Sequence, residues 1–359
     1  MTTKTQTEKL YNKILNSNRI TTEEAIVLYH HVDLLTLGQM AHHIRNKQTH
    51  PDIVTYIVDR NINYTNICIT HCEFCSFYRK QSDSDAYILK DDIIKEKLLE
   101  TKSLGGTGIL LQGGLNPKLK LKDYTSLLKL IKETTNIHIH AFSPPEITYL
   151  SKLEKKSLKV ILEHLKEAGL NSIPGGGAEI LVDSIRNQIS PKKCSSQEWL
   201  SVMETAHTIG LKTTATMMFG HVESIEDRVE HLNKIRNLQD KTGGFTAFIP
   251  WTFQKGESKI NCKNTYSYDY LKTLSLSRIF LDNIENIQGS WVTQGEQIGQ
   301  LSLKFGANDL GSIMIEENVV KSAGTSFQMT EEKIKKVITE AGFTPFKRDT
   351  LYTNLPKNE

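Results

Sequence analysis

Cys68, Cys72 and Cys75 stand in the spacing C-x3-C-x2-C, with an aromatic residue, Phe74, just before the last thiol. Three thiolates can hold three irons of a [4Fe-4S] cube and leave the fourth open, whereas clusters that only carry electrons are usually closed by four cysteines. An open iron is a place for a small molecule to meet metal, so the spacing points to chemistry rather than electron storage. The competing reading is a structural zinc site, which needs four ligands in a tetrahedron. Cys194 and Cys262 lie far along the chain without C-x2-C partners, and His71 is wedged between two of the cysteines, so a fourth ligand is hard to find. Five cysteines in 359 residues are odd in number and sparse for a disulfide framework.

The chain is 38% hydrophobic and 24% charged, with 44 basic against 41 acidic residues and a formal charge of +3. This is the balance of an ordinary globular protein and gives no reason to expect a nucleic-acid partner. Met1 to Lys9 are polar with no apolar h-region, and no stretch approaches the about 18 apolar residues a membrane span needs. The expected location is a reducing cytoplasm, where an iron–sulfur cluster survives, with no membrane partner.

Loops that carry such chemistry need a scaffold that gathers them. From Asn61 onward, short β-rich runs ending in Gly, Pro or Ser alternate with stretches of helical period, the signature of βαβ units and a parallel sheet. Eight strands are predicted, at 63–69, 108–112, 137–142, 171–174, 212–219, 245–251, 289–293 and, more weakly, 304–307. Helices are predicted at 91–102, 122–134, 158–168, 197–209, 225–242 and 268–284, from leucines and isoleucines three and four apart. That order predicts an α/β fold, a TIM-like (βα) barrel. An N-terminal helical preface over 1–50 precedes the barrel at 51–307, and a tail over 308–359, with a helix at 330–341 ending on Gly342, closes it. Residues 21–24 resemble an N-cap, followed by an apolar run through Ala25, Leu28 and Val32 in the preface.

Parallel strands present their C-terminal ends on one face, so the residues after each strand line a common mouth. The cysteine loop follows the first strand, and Gln112, Gly113 and Gly114 follow the second. Ser143 and Glu146 follow the third, Gly175–Gly177 and Glu179 the fourth, Gly220, His221 and Glu223 the fifth, and Trp251 and Phe253 the sixth.

This arrangement resembles the radical S-adenosylmethionine superfamily over nearly the whole chain. Within it, the segments 61–66, 139–146, 172–179, 213–223 and 248–253 closely resemble the cyclic dehypoxanthinyl futalosine synthase family of the futalosine route to menaquinone. The resemblance implies a [4Fe-4S] cluster on Cys68, Cys72 and Cys75, with S-adenosylmethionine chelating the open iron and yielding a 5′-deoxyadenosyl radical. It implies that the radical removes hydrogen from C4′ of dehypoxanthine futalosine, and that the carbon radical closes onto the benzoate ring. A flavodoxin or ferredoxin would deliver the electron.

Roles follow position by position. Phe74 would lie against the adenine, and Gly113 and Gly114 let backbone approach the methionine end, although a tight turn explains them equally. Relatives carry Gly-Gly-Glu there; this chain has Leu115, so another group must receive the methionine amino charge. Ser143 is one candidate, with an alternative as N-cap of a helix whose first residue is Pro144. Glu179 would bond the cofactor ribose or amino group. Arg186 would bind a carboxylate, or else join an exposed helix salt bridge. Gly220 and Glu223 would support the adenine, with Glu223 as helix starter the alternative. His140, His221 and Glu146 are the candidates for taking the proton, and Phe142, Trp251 and Phe253 for holding the ring. Asn308, Asp309 and Glu316 in the tail would come near the substrate. Aminofutalosine synthase, a sister enzyme, is the second reading, and a non-catalytic zinc-binding α/β protein the third.

Overall fold

The computed structural model describes residues 4–256, 258–262, 265–324 and 327–356. Its centre is a curled sheet of seven parallel strands in sequence order: β2 (Asp59–Asn63), β3 (Gly108–Gln112), β4 (His138–Ala141), β5 (Ser172–Ile173), β6 (Lys212–Phe219), β7 (Phe245–Thr252) and β8 (Asn286–Ile287). A second parallel sheet joins β10 (Thr344–Lys347), β1 (Ile53–Ile57) and β9 (Asp309–Ser312) in that order. The two sheets meet twice. Val58 alone separates β1 from β2, and β9 lies beside β8 through the Gln288–Asp309 bridge and a Gly289 N–H to Asp309 carbonyl bond of 2.8 Å. Main-chain bonds therefore run round the whole circuit, and the TIM-like barrel is present.

The predicted helices at 91–102, 122–134, 158–168, 197–209 and 225–242 lie within one residue of Asp91–Ser103, Leu121–Thr134, Leu158–Glu167, Ser196–Thr208 and Ile225–Thr242. Each packs its apolar stripe on the sheet, with Ile161, Leu162, Leu165, Val229, Leu232 and Ile235 fully or nearly fully buried. The preface forms helices Lys4–Leu15, Thr22–His31 and Leu34–Gln48, and the Thr21–Glu24 capping box is made in both directions, at 3.2 and 2.8 Å. The helix predicted at 268–284 stops at Phe280. Among the described residues no helix is long and apolar enough to cross a membrane.

Three predicted strands are displaced. The first lies at Asp59–Asn63, because the chain leaves the sheet at Tyr64, whose ring is buried edge-on against Tyr124 and Phe142. The β-branched run at 65–69 is covered by loop pairings, Thr65 with Ile88 and Ile67 with Arg79, rather than by a ladder. The strand predicted at 289–293 is absent: Trp291–Gln294 is a helical turn, and β8 sits earlier at Asn286–Ile287. Residues 304–307 form a turn in which Gly306 adopts φ 109, with no room for a Cβ against the Arg278 side chain; the eighth staves position is taken by β9.

His231 is buried, and His138, His140 and His207 are half-buried in the barrel wall. Burial holds His138 and His207 down to about 4, and His140 and His231 down to about 3. Each stays neutral in the fold while its unfolded counterpart takes a proton below about pH 6.5, so stability is complete above that pH and is lost as pH falls. Lowering pH from about 7.5 to about 5.5 costs roughly 1 kcal/mol per histidine, several in sum. Anaerobic guanidinium unfolding at the two pH values measures it, and an unchanged midpoint refutes it.

Candidate active site

The cysteine loop is tied on two sides. Ile69 N–H bonds the Leu115 carbonyl at 3.2 Å and Glu73 N–H bonds Ile189 at 2.9 Å, which sets the loop over the ends of β2 and β3. His71 takes a left-handed φ of 48 and stacks on Tyr78 with centroids 5.0 Å apart, which uses its ring in packing. Two of the thiols flank Thr70, whose hydroxyl lies 3.0 Å from Cys68 Sγ and 3.4 Å from Cys72 Sγ; Leu115 N–H points at Cys68 Sγ from 3.4 Å, and Cys75 lines the same cavity. Burial pushes the Cys72 and Cys75 thiols up, so their deprotonation accompanies metal binding. Among the described residues no three His, Cys, Asp or Glu side chains surround a single-ion position. Cubane ligands each bind a different iron and need not converge on one point, so the donor set fits the cluster better than it fits zinc.

Gly113 and Gly114 press against this loop. A Cβ on Gly114 would stand 2.3 Å from the Ile67 carbonyl oxygen, and one on Gly113 2.6 Å from the Tyr64 ring, so no side chain is possible beside the thiols. The Gly-Gly turn is fixed by Glu146. Its Oε1 accepts from Tyr64 Oη at 2.6 Å and Gly113 N at 3.2 Å; its Oε2 accepts from Ser143 N at 2.7 Å and Ser143 Oγ at 2.6 Å. Ser143 is the N-cap of helix Pro144–Glu154, with Pro144 at its start. Both residues line the cavity, yet Glu146 already meets four donors. The carboxylate expected as a proton acceptor is thus a strut between the loops after β2, β3 and β4, and Ser143 serves the helix and that strut.

On the opposite side, Glu179 holds a left-handed φ of 43 after the Gly-rich turn and is ion-paired with Lys193. The Lys193 ammonium also lies 4.9 Å over the Phe74 ring, so Phe74, Lys193 and Glu179 form one wall beside Cys72. Burial disfavours the lysine's charge, but Cys72 and Glu179 outweigh it and its pKa is raised. Sequence reasoning missed Lys193. It sits in an irregular stretch between helices Asp183–Ile189 and Ser196–Thr208, where no periodicity says which way a side chain points.

Arg186, Gly220, His221 and Glu223 stay outside the cavity. Arg186, 2% exposed, donates to the carbonyls of Gly177 at 3.2 Å and Cys194 at 2.6 Å, bracing the Gly-rich turn from behind. Glu223 accepts from Gly220 N at 2.6 Å, His221 N at 2.9 Å and Arg228 Nε at 2.9 Å. His221 accepts from Val222 N at 2.8 Å and bonds the Met218 carbonyl at 3.1 Å, so both ring nitrogens are engaged. Gly220, at φ 89, has the Thr265 side chain where a Cβ would go. These groups shape the loop after β6. Phe142 and Phe253 are buried in packing, whereas Trp251 lines the cavity. In the tail, Glu316 pairs with Lys97 and Asn308 receives Arg278, and neither lines the cavity.

The cavity itself measures about 420 Å³. It runs from the three cysteines, past Asn61, Asn63, Gln112, Thr214 and Thr216, to a floor of Asp59, Ser312, Arg348 and Tyr352. His140 lines its middle with Nδ1 2.6 Å from Ser172 Oγ. One continuous cavity therefore connects metal-binding thiols, a cation–carboxylate wall and a polar barrel interior.

Residues 62–235 match the Radical SAM superfamily model, and residues 242–359 match the CofH/MqnC C-terminal region. The chain is 44% identical to the cyclic dehypoxanthine futalosine synthase of Halalkalibacterium halodurans, over 96% of this chain and 93% of that one. It is 41% identical to the synthase of the same name from Streptomyces coelicolor, over 99% and 90%. It is also 42% identical to the 5-amino-6-(D-ribitylamino)uracil–L-tyrosine 4-hydroxyphenyl transferase of Methanococcus aeolicus, over 86% and 89%. In fold it is similar to methylornithine synthase (PylB), with a TM-score of 0.72 at 19% identity over 94% and 97% of the two chains. A [4Fe-4S] cluster and S-adenosylmethionine are the cofactors of this superfamily, and the thiols, glycines and cavity described above accommodate them. The cysteine loop, the barrel and the full-length likeness agree: this chain is a radical S-adenosylmethionine enzyme and belongs to the branch of that superfamily with the CofH/MqnC C-terminal region.

Proposed function

We propose that this enzyme cyclises dehypoxanthine futalosine to cyclic dehypoxanthinylfutalosinate, a step toward menaquinone, with a flavodoxin or ferredoxin as electron donor. The observation that carries the reading is the likeness, over 96% and 99% of the chain, to two bacterial enzymes named for that synthesis. When bound, the cluster and S-adenosylmethionine supply a 5′-deoxyadenosyl radical that takes hydrogen from C4′ of the substrate ribose. The chain's own work is to orient and to exclude water, since such a radical attacks almost any C–H bond. Cys68, Cys72 and Cys75 hold iron, and the Leu115 N–H and Thr70 hydroxyl bond the sulfurs. Phe74 would hold the adenine, Glu179 the ribose hydroxyls, and Lys193 the methionine carboxylate. Asn61, Asn63, Gln112, Thr214 and Thr216 offer hydrogen bonds to the substrate's sugar and ketone.

Lys193→Gln keeps a donor for Glu179 but removes the charge. It weakens S-adenosylmethionine binding about 10- to 100-fold, the equivalent of the roughly 1.5–3 kcal/mol of a charged hydrogen bond, and leaves iron content unchanged. Equilibrium binding to cluster-loaded protein measures this; undiminished affinity removes Lys193 from the role.

The second reading is 4-hydroxyphenyl transfer from L-tyrosine, supported by archaeal relatives of comparable identity. Reduced protein is incubated anaerobically with S-adenosylmethionine and each substrate set. Cyclisation releases free 5′-deoxyadenosine and a product lacking two hydrogens of dehypoxanthine futalosine. Consumption of tyrosine and the aminouracil, with dehypoxanthine futalosine untouched, overturns the proposal in favour of the transferase reading.

A further inference from the structure

The floor of the barrel holds a carboxyl group that the roles above leave unused. On β2 the side chains of Asp59, Asn61 and Asn63 all line the cavity, and the register Asp59–Gly108–His138 across β2, β3 and β4 places Asp59 at the end remote from the cysteines. Gly108 leaves an opening there, into which Thr350 reaches: a Cβ on that glycine would stand 2.7 Å from its hydroxyl. The segment after β10 thus enters the barrel and brings Arg348 and Tyr352 with it.

Arg348 is committed to Asp309, through Nε at 2.5 Å and Nη2 at 3.1 Å, and Thr55 Oγ1 and Gly311 N complete that carboxylate at 2.5 and 2.6 Å. Among the described residues the Asp59 carboxylate forms no ion pair, and its one side-chain hydrogen bond is from the Ser312 hydroxyl to Oδ1. The other acids and bases of the cavity are occupied or weak. Glu146 meets four donors, Glu179 is paired with Lys193, and Glu317 accepts from the N–H groups of Val319, Val320 and Lys321 at 2.8–2.9 Å. His140 is held neutral with its basicity depressed to about 3. Burial, with Arg348 opposing and Asp309 adding, raises Asp59 to about 6, near the operating pH where a proton acceptor is most effective.

We infer that Asp59 is the catalytic residue that accepts the proton released by the substrate's aromatic ring, a role that rests on the cyclisation reading above. C4′ has lost its hydrogen atom and formed a carbon–carbon bond to the ring, leaving one unpaired electron spread over ring carbons. The ring C–H bond at the new junction breaks heterolytically, the proton goes to the Asp59 carboxylate, and the remaining electron goes to a one-electron acceptor, which the oxidised iron–sulfur cluster would supply. Aromaticity returns.

The test uses full-length, cluster-loaded Asp59→Asn protein in single turnover. Deoxyadenosine forms within about threefold of wild type and substrate affinity is preserved, but cyclised product falls by about 100-fold or more, the usual worth of a positioned base. Product retained within about tenfold overturns the assignment, as does loss of product, deoxyadenosine and substrate binding by the same factor, which marks a structural residue. Wild-type protein gives a reading independent of the variant's folding. Its ratio of product to deoxyadenosine declines as pH falls through about 6, with Arg348, Asp309, His138, His140 and Tyr352 the charged or titratable groups around Asp59. A ratio constant from about pH 5.5 to about pH 8 overturns the role. Wild-type protein that makes deoxyadenosine but no cyclised product at any pH overturns the cyclisation reading, and the role with it, and is told apart because wild type and variant then behave alike.

Discussion

Cys72→Ser protein is expected to fold, to carry little iron, and to form no measurable 5′-deoxyadenosine. Cys72 is 5% exposed and lies under Thr70, whose hydroxyl is 3.4 Å from its sulfur, so a serine hydroxyl in its place finds a partner and costs the fold little. The cluster loses far more. Losing a partner that merely orients a ligand costs roughly 10- to 100-fold in metal affinity or activity, and loss of the ligand itself exceeds that. Iron and sulfide analysis, visible absorbance and deoxyadenosine assay on anaerobic material read the result, with circular dichroism reporting the barrel. Wild-type cleavage by the variant removes the three-cysteine assignment.

Glu146→Ala is expected to destabilise the barrel by about 3–5 kcal/mol, because the change strands Tyr64 Oη, Gly113 N, Ser143 N and Ser143 Oγ in a buried place. Tyr64→Phe removes one of those four bonds and costs about 1 kcal/mol. The same carboxylate sets the Gly113–Gly114 turn against the cysteine loop, so cofactor affinity falls with stability in the alanine variant. Denaturant unfolding of both variants checks the ratio. Equal, small losses would mean that the four bonds do not act as a strut.

Elements governed by near neighbours were legible in the sequence. Helix Ile225–Thr242 has the bounds its pattern predicts, since Ser224 and Asp227 form a capping box at one end and Gly243, at φ 58, ends the other. The cysteine spacing likewise needs no fold to be read. What escaped is held by distant partners. Strands β5 and β8 are two residues each, too short to show alternation. The eighth position of the circuit is filled by β9, whose place depends on pairing with β1 some 250 residues earlier. Arg186 has the residue type to bind a carboxylate, but the carbonyls of a tight glycine turn need donors, and that need directs it inward. Asp59 and Lys193 fall in no motif; both acquire meaning from Ser312, Arg348, Glu179 and Phe74, which the fold alone brings to them.

The late position of β9 and of the Arg348–Tyr352 segment in the chain bears on biogenesis. While a ribosome is still adding residues beyond β8, the nascent polypeptide has its thiol loop complete but lacks both the strand that joins the two sheets and the plug beneath its interior. Translation must therefore run through Tyr352 before the floor of the cavity is complete, and delivery of iron and sulfide finds a finished receptacle only after that point.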